Sequence, residues 1–143
     1  MTNATYLSGV LQVKAYRILQ AKVADETKRF DINPTQWFII GQLKDNQSIR
    51  ATDLAGLLKV DPPLITSLTD DLVAKGVIQK QQHTKDKRVN ILKLTSNGTK
   101  LVLELEKRLQ SVLGMLLKGL KTNELNAYEK VLSAIVQNAD SQN

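Results

Sequence analysis

Apolar residues recur along this 143-residue chain at two different periods. From Leu7 to about Arg29, the residues Leu7, Val10, Leu11, Ile18, Leu19 and Val23 keep roughly helical spacing and predict an amphipathic helix. It ends at Asp31-Ile32-Asn33-Pro34, where Asn33 offers an N-cap oxygen and Pro34 suits the first position of a second helix. That helix carries Trp37, Phe38, Ile40 and Leu43, and stops near the turn residues Asp45-Asn46-Gln47-Ser48. A short third helix places Leu54, Ala55, Leu57 and Leu58 on its buried side. Val60-Asp61-Pro62-Pro63 then intervenes, and because a residue before proline is pushed out of the helical region, the helix ends by Asp61. The same residues open a fourth helix, with Asp61 as N-cap and Pro62 at its first position. Its apolar stripe is Leu64, Ile65, Leu68 and Leu72, with Thr66, Ser67, Thr69 and Asp70 off the stripe and Gly76 as the closing C′ residue.

The period then shortens. Val77 to Gln82 and Val89 to Thr95 are β-branched and interleaved with polar residues, which predicts a hairpin around the charged loop His83-Thr84-Lys85-Asp86-Lys87-Arg88. After Ser96-Asn97-Gly98 a long helix runs from about Thr99 to Lys118, with Leu101, Leu105, Leu109, Val112, Leu116 and Leu120 stepping by threes and fours. A last helix carries Leu125, Tyr128, Leu132, Ile135 and Val136 at the same spacing. So long a stripe exceeds what one small domain can cover, so it is expected to pack on the N-terminal helix of a second chain in a twofold dimer. The predicted fold is mainly α with a small β-hairpin wing. Residues 34–95 form a winged helix-turn-helix, and residues 1–33 and 96–143 are the dimerisation helices.

Composition removes several function classes. Cysteine is absent, and with it disulfides, thiolate catalysis, thiol redox sensing and thiolate metal sites. No apolar run approaches a membrane span, and the first six residues lack the features of a secretory leader, so a cytoplasmic protein is expected. A lone histidine, His83, cannot build an ordinary zinc site. With no phosphate-cradling glycine loop and no base beside a nucleophile, no enzymatic activity, metal or cofactor is expected. The net charge of +6 instead suggests a polyanionic partner.

Where that charge lies sharpens the expectation. The hairpin gathers Lys80, Lys85, Lys87, Arg88 and Lys93 against the single acid Asp86, directly after two short helices joined by a tight turn. A helix of about 10–12 Å diameter fits the major groove of DNA, and its N-terminus favours phosphate. A narrow loop with an arginine at its tip can enter the minor groove. In isolation the same charge run would read as a solvated hairpin; following a helix-turn-helix it reads as a DNA wing.

Leu54-Ala55, Leu64-Ile65-Thr66-Ser67-Leu68, Asp70, Leu72 and Lys75-Gly76-Val77-Ile78 resemble the third and fourth helices of the MarR family. Asp86-Lys87-Arg88 with Leu94-Thr95-Ser96-Asn97-Gly98 is similar to that family's wing and its exit into a long helix, and Pro34-Thr35-Gln36-Trp37 to the opening of its second helix. The resemblance implies a homodimeric repressor or activator on a pseudo-palindromic double-stranded operator, with the fourth helix in the major groove and Arg88 in the minor. It also implies a small anionic or aromatic effector. The candidate DNA residues are Pro62, Pro63, Thr66, Ser67, Lys85, Lys87 and Arg88, with Lys85 a phosphate contact.

Two features complicate this. The family usually has a basic residue at the position of Ser67 and often at Asp71, and here Asp70-Asp71 would repel phosphate, so bidentate arginine readout of guanine is not available from this helix. Either the wing supplies most of the affinity, or Thr66, Ser67 and the Pro62-Pro63 pair meet thymine methyls; alternatively the chain is a nonspecific DNA-binding or protein-interaction module. Tyr16, Arg17 and Trp37 have two readings as well: core and interface filler, or, guided by the resemblance, a pocket where Arg17 meets an effector carboxylate.

Overall fold

The computed structural model describes residues 9–142, so the predicted start of the first helix at Leu7 lies outside the described residues. Six helices and three short strands follow in the order α1 (Val10–Lys28), α2 (Pro34–Asn46), β1 (Ile49–Arg50), α3 (Ala51–Leu58), α4 (Pro62–Ala74), β2 (Ile78–Gln82), β3 (Asn90–Leu94), α5 (Ser96–Leu116) and α6 (Thr122–Asp140). The hairpin strands β2 and β3 pair antiparallel from Ile78 opposite Leu94 to Gln82 opposite Asn90. β1, which the hydrophobic pattern does not announce, adds to the free edge of β3 through Ile49 and Leu92 and completes a three-stranded sheet.

One core joins these elements. Ile39, Ile40 and Leu43 of α2, Leu54 of α3, Ile65 and Leu72 of α4, Ile78, Leu92, and Val102 and Leu105 of α5 are fully or almost fully buried together. Val23 of α1 and Leu109 of α5 extend the same cluster. The long helices therefore brace the winged domain before they leave it. The predicted cap at Asn33 is present as a reciprocal box, with Asn33 accepting from the Gln36 N–H at 2.8 Å and Gln36 accepting from the Asn33 N–H at 3.0 Å. Asp61, by contrast, precedes α4 without a side-chain cap bond, so its expected role as N-cap holds in position only.

Two residues assigned to buried stripes are not buried. Leu57 is 53% exposed and Leu64 49%, whereas Thr69, read as off the stripe, is wholly buried with its hydroxyl donating to the Thr66 carbonyl at 3.0 Å. Helical spacing finds an apolar face only to within about a residue's width, and a hydroxyl that bonds to the preceding turn can be buried at little cost. The far end of the molecule differs more. No described residue of α6 is buried, and Tyr128, Leu132, Ile135 and Val136 are all exposed.

Candidate nucleic-acid interface

α4 is held along its C-terminal half. At its C-terminus Gly76 takes a φ of 71°, open to glycine without penalty, and the Val77 and Gly76 N–H groups donate to the Leu72 and Val73 carbonyls at 3.0 Å each. This closure turns the chain straight into β2. Along the helix, buried Gln36 of α2 donates to the Leu68 carbonyl at 3.3 Å and to the Asp71 carboxylate at 2.7 Å. Lys75 then grips Asp71 at 2.8 Å, pairs with Asp31 at 3.3 Å, and donates to the Asp31 carbonyl. Lys75 and Gln36 hold the Asp71 carboxyl below the usual carboxylate range, and Asp71 in turn raises the Lys75 ammonium. Asp70 is bound by Lys80 of β2 at 2.5 Å. The Asp70-Asp71 pair expected to repel phosphate is thus matched cation for anion, and Asp71 is an orienting contact between α4 and α2.

The outward side of α4 carries Pro62, Pro63, Leu64, Thr66 and Ser67, all exposed. Thr66 donates its hydroxyl to the Pro62 carbonyl at 3.1 Å. With proline at the first two helical positions, two of the N–H donors that ordinarily make a helix N-terminus attractive to phosphate are missing. The expectation that this terminus favours phosphate is therefore much reduced.

The wing is built around Asp86. Its carboxylate accepts from the Arg88 backbone N–H at 3.0 Å and from the Arg88 guanidinium at 3.2 Å and 3.4 Å, so one side chain both turns the loop and orients the cation. These bonds lower the Asp86 carboxyl, with the nearby His83 adding to the effect. The His83 N–H donates to the Val89 carbonyl at 2.8 Å, closing the loop, and its Nδ1 accepts from the Lys85 N–H at 3.1 Å. The Arg88 side chain is 92% exposed at the tip, and Lys85 and Lys87 are exposed beside it. The structure brings the seven candidate residues onto two elements, the start of α4 and the wing loop.

The effector candidates lie on two helices, α1 and α2. Tyr16 and Arg17 are exposed on α1, while Trp37 is half-buried and packs on the core. None of them lines either of two clefts formed by the described residues. One, of about 490 Å³, lies between the α1–α2 connection and α4, bounded by Lys28, Asp31, Gln36, Ser67 and Lys75. Another, of about 480 Å³, is apolar and is lined by Ile18, Leu19, Leu116, Leu120, Leu125 and Tyr128. Sequence reasoning missed Gln36 and Lys75 as residues that aim α4: the partners of Gln36 lie on another helix and share no period with it, and Asp31, which Lys75 also binds, lies in a distant loop.

Comparison with known proteins places this geometry among relatives. A model of the MarR family matches residues 32–89, from the loop before α2 to the end of the wing loop. The HTH-type transcriptional repressor MdtR of Bacillus subtilis (strain 168) is 24% identical over 144 residues, spanning 99% of this chain and 93% of that protein. A mutant of MarR from E. coli complexed with operator DNA superposes with a TM-score of 0.73 at 20% identity, covering 94% of this chain and 99% of the other. NadR in complex with 4-hydroxyphenylacetate gives a TM-score of 0.80 at 21% identity over 94% of this chain and 96% of its own. These similarities to solved structures establish the winged-helix fold.

Proposed function

We propose that this chain, whose residues 32–89 a model of the MarR family matches, is a regulator of that kind: a homodimeric, sequence-specific DNA-binding regulator of transcription, a repressor modulated by a small molecule. The observation that carries the reading is the wing: a guanidinium almost entirely in solvent, held in place by a carboxylate, beside an exposed helix whose own acids are already paired. Such a tip supplies charge and fits the narrow groove, while α4 supplies readout in the major groove. Residues 34–95 are the DNA-binding unit and residues 1–33 and 96–143 the dimerisation helices, which set the two recognition helices about 34 Å apart for a pseudo-palindromic site. We place the protein in the cytoplasm and assign it no enzymatic activity.

Repression is supported by the repressor relative, and a small aromatic acid by the ligand of the NadR structure. An effector acts only if it binds one spacing of the recognition helices better than another. Tyr16 and Arg17 lie exposed on α1, so a pocket that joins them to Trp37 would be completed by the partner protomer.

The test compares binding to the DNA upstream of the protein's own gene with binding to random duplex at matched salt. Wild type prefers the former, and Arg88→Ala loses roughly tenfold or more of that affinity. Equal affinity of wild type for both duplexes favours the second reading, a nonspecific or protein-interaction module, which draws its support from the absence of any lysine or arginine within Pro62–Ala74.

A further inference from the structure

The first turn of α4 exposes three apolar residues in a row. Pro62, Pro63 and Leu64 all face solvent, and Leu64 is 49% exposed although its sequence spacing belongs with the buried Ile65 and Leu72. A run of three exposed apolar residues lowers solubility and serves no packing purpose in this chain. It lies at the part of a recognition helix that enters the major groove deepest. The polar chemistry expected there has been withdrawn. The two prolines remove backbone donors, the Thr66 hydroxyl is spent on the Pro62 carbonyl, and no cation is present on the helix. What remains is apolar surface, the methyl of Thr66, and one serine hydroxyl, that of Ser67, with no partner among the described residues.

In the major groove the one apolar feature of a base edge is the C5-methyl group of thymine. We propose that this protein selects its operator through thymine methyls, packed against Leu64 and Pro63 of α4, with Leu64 a specificity-determining residue. The inference rests on the DNA-binding reading above and names the chemistry that the half-site must present. Asp61, just before this turn, strengthens the choice, since its carboxylate disfavours close approach to phosphate and leaves contact with base edges as the stabilising interaction. Guanine, read elsewhere by arginine, has no partner on this helix.

The experiment replaces thymine by uracil, which keeps every hydrogen-bonding group and lacks only the methyl. Full-length protein first selects its preferred site from a random duplex pool. Affinity is then measured for that duplex and for versions with dU at successive dT positions of both half-sites. Each methyl in contact with Leu64 or Pro63 is worth about fourfold, so the symmetric double replacement costs roughly 15-fold. Replacement outside the half-sites costs nothing. Leu64→Ala, a substitution at an exposed position, binds the dT and dU duplexes nearly alike. Selective binding that is indifferent to uracil at every position overturns the proposal and leaves the DNA-binding function standing. Discrimination that survives intact in both Leu64→Ala and Pro63→Ala overturns its assignment to this turn. Selection that yields no preferred sequence overturns the function itself, and this inference with it.

Discussion

Asp71 shows how far a residue's meaning depends on a neighbour that the sequence does not reveal. Beside Asp70 it looks like an obstacle to DNA, yet its carboxylate is held by Gln36, 35 positions earlier, and by Lys75 one turn later. A lysine four residues on is legible in a helix; a glutamine on another helix is not. The pairing contributes to the pH response of the fold. Because the Asp71 carboxyl is lowered, first by Lys75 and then by Gln36, its stabilising contribution is fully present above the ordinary carboxylate range and is lost as pH falls through the lowered value. The raised Lys75 ammonium contributes below the ordinary lysine range and loses its contribution only as pH rises through its raised value. Melting midpoints of wild type are therefore expected to be flat between about pH 5 and pH 9 and to fall on the acid side. Asp71→Asn lowers the plateau and flattens the acid limb. An acid limb unchanged in this variant would show that the fall comes from other carboxylates.

Element by element, the periods of the chain predicted the helices and the hairpin well, because each buries a face whose spacing is its signature. β1 escaped since two residues have no period, and the burial of Leu57 and Leu64 was misread because spacing alone cannot tell a core leucine from one kept exposed. The junction between wing and α5 was legible in composition but not in its reason. Thr95 caps α5 by accepting from the Gly98 N–H at 3.0 Å and donates its hydroxyl to the Gly76 carbonyl at 2.6 Å. Gly98 allows this turn to sit against the start of β2: a Cβ there would stand 1.9 Å from the Val77 carbonyl oxygen. That oxygen also accepts the Thr95 N–H at 3.1 Å, so it cannot yield freely. Gly98→Ala is expected to cost about 1–3 kcal/mol and to lower the melting midpoint by roughly 4–12 °C. Calorimetry showing no shift would mean that the junction gives way without strain. Gly114→Ala, with nothing within 4 Å of the added carbon, is the matched control.

At the scale of the whole molecule, most of the exposed apolar surface lies on α1, the end of α5 and α6. Val10, Leu11 and Ile18 of α1, Met115 and Leu116 at the end of α5, Leu120 beyond it, and the Tyr128, Leu132, Ile135 and Val136 stripe of α6 are exposed together in a single protomer. Leucine periodicity anticipated that stripe, and its exposure supports the reading that a second copy covers it, since an apolar surface of this extent is not stable in water on its own. Leu132→Asp with Ile135→Asp separates this from packing within the chain. The two positions are 38% and 49% exposed, respectively, so a monomer tolerates the aspartates, whereas in a dimer each would bury an unpaired carboxylate. Sedimentation of wild type should give twice the 15.9 kDa protomer mass, and the double variant one protomer, with a dimer Kd raised roughly 100-fold or more. The variant's melting midpoint, extrapolated to infinite dilution, should match that of wild type, because the core of the winged domain is untouched. Its affinity for a duplex carrying two half-sites should fall to that for one, since the linkage between recognition helices is gone. A wild type that sediments as a monomer at micromolar concentration, or a variant that unfolds instead of dissociating, would show that these helices close on their own chain.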